Sequence, residues 1–69
     1  MRIVRVALDV PLSTLFDYYL AENMTVAAGQ RVVVPFGRRQ VVGVVVALVD
    51  SSDFAAARIK EVVQVLHDV

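Results

Sequence analysis

Two apolar runs separated by a short break dominate the middle of this 69-residue sequence. Residues 31–34 and 41–49 are rich in valine, and β-branched residues favour strands because their side chains fit a pleated surface. The break, residues 35–40, holds the proline, glycine and polar residues typical of a hairpin loop. The centre of the chain is therefore predicted to be a β-hairpin with Arg38 and Arg39 at its tip.

The segments on either side of this hairpin predict further short strands. Residues 2–10 are apolar with imperfect alternation and end at a proline, which favours a first strand. Residues 15–20, reading LFDYYL, predict a second strand. The intervening stretches are predicted loops: residues 11–14, residues 21–30 with a turn at Gly29, and residues 50–53.

The tail, residues 55–66, fits two structures. Ile59, Val62, Val63 and Leu66 have helical spacing, whereas the density of valine favours a strand, so the residues alone leave both open. Gly43 lies inside a strand pattern, where glycine marks a bulge or a close approach of two backbones. Several short strands at close spacing predict a mainly β fold with at most a short helix. We expect residues 1–69 to form a single domain, a small curved sheet or open barrel around the central hairpin.

Composition limits the classes of function. A chain of this size buries only about 60% of the surface exposed on unfolding, yet 58% of its residues are hydrophobic. We therefore expect some apolar surface to face a partner, a second copy or a neighbouring domain. Apolar stretches are too short to span a membrane, and the first ten residues lack a signal-peptide pattern, which favours the cytoplasm. Seven basic and seven acidic residues argue against a protein that coats nucleic acid.

Chemistry-bearing motifs are scarce. The sequence has no cysteine and one histidine, His67, so no metal site is expected. The serines have no evident base partner, and the glycine-rich phosphate loop of nucleotide hydrolases is absent. The chain is therefore not expected to be an enzyme, and no cofactor is expected in it.

The Phe16-Asp17-Tyr18 segment stands out among the predicted strands. Because side chains alternate across a strand, Phe16 and Tyr18 should share one face and Asp17 and Tyr19 the other. Alternation alone would make the two rings core residues and Asp17 a solvated strand residue. Sequence pattern alone would likewise make the hairpin tip an ordinary loop with solubilising arginines, and Lys60 a surface lysine.

Several segments together carry a resemblance to a known family. Val10-Pro11-Leu12 with Phe16-Asp17-Tyr18, then Gly29-Gln30-Arg31-Val32, then Val34-Pro35-Phe36-Gly37-Arg38 and Gly43-Val44-Val45 occur in the order and spacing of that family. The chain closely resembles the N-terminal domain of the PriA family of bacterial replication-restart helicases, also called primosomal protein N-prime. The match covers almost the whole chain, and the two motifs VPL…FDY and VPFG are specific in combination.

The resemblance implies a fragment of a larger helicase that hydrolyses ATP with magnesium and carries zinc. It implies a domain that captures the 3′ end of the nascent leading strand at a stalled fork, with other primosome proteins as partners and no membrane. The family's pocket residues correspond here to Asp17, Gly37 and Lys60, with Phe16 beside them. The family's last segment is a strand, so residues 59–66 are predicted to be one.

These residue types suit the recognition of a DNA end. An ionised Asp17 only accepts hydrogen bonds, and a 3′-hydroxyl can donate one, whereas a phosphorylated or continuing end cannot. Lys60 would neutralise a phosphate, and Arg38 and Arg39 are possible further phosphate contacts that read no sequence. Phe16 is expected to be mainly core. The alternative class is a small β protein-interaction module that docks a neighbouring domain or partner without recognising DNA ends.

Overall fold

The computed structural model describes residues 2–11, 14–54 and 56–67, and its strands confirm a mainly β fold. The predicted loop positions Leu12 and Ser13, and Ala55 of the tail, lie outside the described residues. The elements are β1 (Arg2–Leu8), β2 (Phe16–Leu20), β3 (Arg31–Phe36), β4 (Arg39–Val49), a short 3-10 helix (Ala56–Arg58) and β5 (Gln64–Leu66). Regular pairing joins the five strands into one antiparallel sheet in the order β2-β1-β4-β3-β5.

The sheet curves because the chain before β5 returns to β2. Tyr19 N donates to Lys60 O at 2.9 Å, and Val62 N donates to Tyr19 O at 2.9 Å. Val63 N then donates to Val33 O at 2.8 Å, so one short segment contacts both β2 and β3. The predicted curved sheet is thus confirmed, and its curvature encloses the core.

The core occupies the inner face of this sheet. Val4 lies opposite Tyr18 in the β1–β2 pair, and Val32 lies opposite Gly43 in the β3–β4 pair. Burying these side chains supplies the main stabilisation, since a fully buried valine or leucine contributes about 1.5–3 kcal/mol. The buried cluster comprises Val4, Val6, Tyr18, Leu20, Val26, Val32, Val34, Val45 and Val62.

The hairpin turn is shorter than predicted. Pro35 pairs with Gln40 and Phe36 with Arg39, so only Gly37 and Arg38 form the turn and the six-residue loop was wrong. Gly37 has φ of 62°, and positive φ at the first of two turn residues is typical of the type II′ hairpins that match strand twist. Proline is tolerated in β3 because β5 pairs only with Arg31–Val33, which leaves Pro35 on an open edge.

Gly43 confirms the predicted close approach. A Cβ at this position would overlap Val6 Cγ1 and lie 2.6 Å from Leu8 Cδ2, so the side chains of Val6 and Leu8 occupy the space that any residue larger than glycine would need. The bulge lies elsewhere: Arg5 pairs with Ala47 and Val6 with Val45, which leaves Val46 as the extra residue. Bulges bend a strand and increase its twist, so both features contribute to the curvature.

The remaining differences from the sequence prediction are at element ends. The first strand stops at Leu8 instead of residue 10, and the second begins at Phe16 instead of residue 15. Strand structure in the tail is confined to Gln64–Leu66, with Glu61 in an isolated parallel bridge to Tyr19, so the strand predicted over residues 59–66 was too long. Within the described part of the chain, no helix is long and apolar enough to span a membrane.

Candidate functional site

A cavity of about 250 Å³ lies where three separate parts of the chain meet. β2 contributes one wall, the end of β3 and its turn contribute a second, and the segment after β4 contributes a third. Phe16, Gly37 and Lys60, which are far apart in sequence, are thereby brought to one hollow. The lining residues are Phe16, Asp17, Tyr18, Pro35, Phe36, Gly37, Phe54, Arg58 and Lys60.

Aromatic rings form much of this cavity. The Phe16 ring packs edge-on against Phe36, with centroids 5.2 Å apart and 75° between the planes. On its other side it lies nearly parallel to Phe54, with centroids 6.4 Å apart and planes at 23°. Phe16 also packs against the core, as expected, while bordering the cavity. The cavity therefore offers flat apolar surface to a ligand.

Tyr18 fixes the two main walls relative to each other. Its hydroxyl donates to the carbonyl oxygen of Pro35 at 2.9 Å, which ties β2 to the end of β3. Burial raises the pKa of the Tyr18 phenol, so the hydroxyl stays protonated and available as a donor. The residue is both a core side chain and a cross-link beneath the cavity.

Asp17 is buried, so the prediction of a solvated strand residue was wrong. Its side chain is 1% exposed, and it points to the sheet face opposite Phe16, as strand alternation predicted. Arg5 Nε donates to Oδ1 at 3.0 Å, Arg5 Nη2 donates to Oδ2 at 3.4 Å, and the Ser52 hydroxyl donates to Oδ2. The residue borders the cavity, but its carboxylate already accepts three hydrogen bonds, two from Arg5 and one from Ser52.

The Arg5–Asp17 pair is charged. The hydrogen bond from Arg5 to Asp17, reinforced by the opposite charge, raises the pKa of the guanidinium above its usual value. The guanidinium therefore neutralises the carboxylate, and Arg58 and Lys60 remain as exposed cations at the cavity. The local charge favours an anion.

Arg38 and Arg39 are exposed but do not line this cavity. Arg39 instead lines a second hollow, which shares Phe36 and Gly37 with the first and is also lined by Asp9, Val10, Pro11 and Val41. Among the described residues, no group of three His, Cys, Asp or Glu side chains could hold a metal ion.

Four contributors were missed from the sequence. Arg5 could have been found, since antiparallel pairing of β1 with β2 places it directly opposite Asp17 and opposite charges favour such positions. Phe54 gave a signal too, as a lone aromatic residue following a polar loop. Ser52 and Arg58 gave none, because their positions depend on the path of the chain between β4 and β5.

Gly37 is required for its backbone conformation. A Cβ there would meet nothing within 4 Å, so a larger residue would be disfavoured by the positive φ and not by crowding. We expect Gly37→Ala to lower the free energy of unfolding by about 1–2 kcal/mol, and Gly37→Asn to lower it less because asparagine tolerates this conformation. Urea denaturation tests this. Unchanged stability in Gly37→Ala would contradict it.

Together, the fold and the cavity define a small β-sheet domain with a cavity lined by aromatic and basic side chains. Residues 5–69 match the family described as 3'DNA-binding domain (3'BD), and the chain belongs to this family of DNA-binding domains. The resemblance inferred from the sequence motifs is thereby confirmed.

Curated relatives agree with this assignment. Replication restart protein PriA of Haemophilus influenzae is 42% identical over 66 residues, which cover 96% of this chain and 9% of that protein. The protein of the same name from Bacillus subtilis is 34% identical over 71 residues, covering 96% of this chain and 9% of the relative. That of Buchnera aphidicola subsp. Schizaphis graminum is 33% identical over 55 residues, covering 80% and 8%. The chain therefore spans less than a tenth of the length of these relatives.

Proposed function

We propose that this domain binds the 3′-hydroxyl end of a DNA strand, such as the nascent leading strand at a stalled replication fork, without selecting the base. In this proposal it directs a cytoplasmic replication-restart helicase, of which it is one part, to such ends. ATP, magnesium and zinc would serve other parts of that helicase, and other primosome proteins would join it at the fork. The observation that carries the proposal is the convergence of Phe16, Asp17, Gly37 and Lys60 on one cavity.

The chemistry of the cavity fits a terminal nucleotide. Its aromatic surface suits a base or sugar, and Arg58 and Lys60 supply positive charge for the phosphate on the 5′ side. Gly37 places backbone at the rim with no side chain in the way. Contacts of these kinds read shape and charge, so they accept any of the four bases.

Selection of the hydroxyl end requires an exchange at Asp17. The carboxylate is closed off by Ser52, so the sugar hydroxyl must take the place of the serine hydroxyl at Oδ2. The two groups are both alcohols, so this exchange conserves the hydrogen bond to the carboxylate. A terminal phosphate ester has no hydroxyl hydrogen on the 3′ oxygen, so when it displaces Ser52 it removes one hydrogen bond from Oδ2 and places an anion beside the carboxylate. Losing that hydrogen bond costs about 1–3 kcal/mol.

The direct test compares two oligonucleotides that differ only in a 3′-hydroxyl or a 3′-phosphate. Fluorescence anisotropy titrations should give a preference of about tenfold for the hydroxyl end. A 5′-phosphate on the hydroxyl oligonucleotide is the control for added charge and should change little. Equal affinity for the two 3′ ends would remove the end-recognition proposal.

Lys60 gives a second, independent test. We expect Lys60→Gln to lower the affinity for oligonucleotides with a 3′-hydroxyl and a 3′-phosphate equally. It should also reduce the slope of log affinity against log salt by about 0.7, the value for one phosphate contact on a single strand. Arg39→Gln removes the same charge outside the cavity, so it should affect a trinucleotide less. If the two variants weaken trinucleotide binding alike, the effect is one of general charge and Lys60 has no specific contact.

A second candidate function is favoured by the outer face of β4. Val42, Val44 and Val46 are 47%, 42% and 46% exposed, which leaves an apolar row uncovered. Because the relatives are more than ten times longer, the occupant we propose is another domain of the same polypeptide. Titration of the isolated chain with the separately produced remainder of the polypeptide tests this: binding that Val44→Lys abolishes supports the docking face, and binding that Val44→Lys leaves unchanged opposes it.

A further inference from the structure

We infer that Phe54 is a binding residue that stacks on the base of the 3′-terminal nucleotide. The inference deepens the proposed function and rests on it for the identity of the ligand. Phe54 belongs to neither the predicted site nor the core, and it lines the cavity with 39% of its surface exposed.

Ring geometry supports this role. The centroid separation of 6.4 Å between Phe16 and Phe54 lies near the upper end of the range for paired rings. The rings are close to parallel, so a planar group added beside Phe54 continues an existing stack. The other neighbour of Phe16, Phe36, stands edge-on and cannot extend the stack in the same direction. Phe54, which is 39% exposed, is thus the ring that can extend the stack.

The backbone around Phe54 is positioned by the same residue that defines the hydroxyl site. Phe54 N donates to Ser52 Oγ at 3.1 Å, and Ser52 in turn donates to Asp17. The proposed base site and hydroxyl site are therefore two residues apart along one short segment. In this inference one nucleotide reaches both, because its sugar hydroxyl and base project from the same ring and both Asp17 and Phe54 line the cavity.

Basic side chains at the cavity support a nucleotide over an uncharged planar ligand. Arg58 and Lys60 follow in the same segment and line the same cavity. Stacking is open to every base because each has a π face, so Phe54 adds affinity without adding sequence preference. A domain that must accept any DNA end needs affinity of this kind.

The experiment uses trinucleotides with a 3′-hydroxyl that end in thymidine or in an abasic nucleotide. We expect the wild-type chain to bind the thymidine end at least about fivefold more tightly. The thymine methyl resonance should also move upfield on binding, because a stacked base lies in the ring current of Phe54. Phe54→Leu, which keeps apolar packing against Phe16, should remove most of both effects, and Phe54→Trp should restore them.

Outcomes separate this inference from the proposed function. If Phe54→Leu retains the hydroxyl-over-phosphate preference and loses the base dependence and the methyl shift, both proposals hold. If the wild type has no end preference but its base dependence and methyl shift vanish in Phe54→Leu, stacking holds and end recognition fails. Base dependence and a methyl shift that persist unchanged in Phe54→Leu overturn the stacking role. Val46→Ala, which shortens an exposed side chain of the sheet outside the cavity, is the control and should change neither the base dependence nor the methyl shift.

Discussion

Replacing Asp17 with asparagine is expected to reduce the preference for a 3′-hydroxyl end from about tenfold to near unity. The amide keeps the shape of the carboxylate, but with its oxygen facing Arg5 Nε it no longer accepts a hydrogen bond at the Oδ2 position. It also supplies an N–H group that can donate to a terminal phosphate. Affinity for the hydroxyl end should therefore fall, while affinity for the phosphate end should rise.

The expected rise in affinity for the phosphate end distinguishes a loss of end recognition from damage to the fold. Asp17 is bonded to Arg5 and Ser52, so any substitution there also loosens the segment that carries Phe54. Loosening of this segment would lower the affinity for both the hydroxyl and the phosphate oligonucleotide, and it cannot raise the affinity for either. Anisotropy titrations of both oligonucleotides measure the change. Asp50→Asn removes the same charge from an exposed loop and should leave the ratio as in the wild type. An unchanged ratio in Asp17→Asn would contradict the account.

Gly43→Ala is expected to have the largest effect on stability. The added methyl would overlap Val6 Cγ1 and Leu8 Cδ2 and approach the Ala7 carbonyl oxygen at 3.0 Å. Overpacking of this kind lowers the free energy of unfolding by about 1–3 kcal/mol. This loss outweighs the gain of about 0.4–1 kcal/mol that alanine gives by restricting the conformations of the unfolded chain. For a domain of this size each kcal/mol lowers the melting temperature by about 4–8 °C.

Thermal denaturation measures the Gly43 effect directly. Val44→Ala, the neighbouring exposed position on the same strand, is the control and should shift stability by less than about 0.5 kcal/mol. A melting temperature for Gly43→Ala equal to that of the wild type would mean that β1 and β4 separate at little cost, and that the curvature does not depend on glycine.

The strands and their faces could be predicted from the sequence because they rest on local patterns. Valine-rich runs and two-residue alternation placed Phe16 and Asp17 on opposite faces, and the structure has them so. The glycine in a strand pattern correctly indicated close contact between strands. Family motifs then indicated which residues share a site, which no periodicity could have done.

What the sequence did not predict depends on long-range packing. Pro35 looks like a loop residue, yet it pairs in β3 because the next strand is too short to need its missing N–H. The tail has helical spacing, but its backbone hydrogen bonds go to Tyr19 and Val33 on two different strands. The burial of Asp17 depends on Ser52, 35 residues later, and loops of this kind carry no local signal.

The most direct test of the central claim is an amide chemical-shift titration with a trinucleotide that ends in a 3′-hydroxyl. We expect shifts at the amides of Phe16, Asp17, Gly37 and Lys60, and none at those of the exposed valines of β4. With the 3′-phosphate analogue at equal saturation, the shifts at Ser52 and Asp17 should be much smaller. Shifts confined to the outer face of β4, or identical shifts with both ends, would contradict the account.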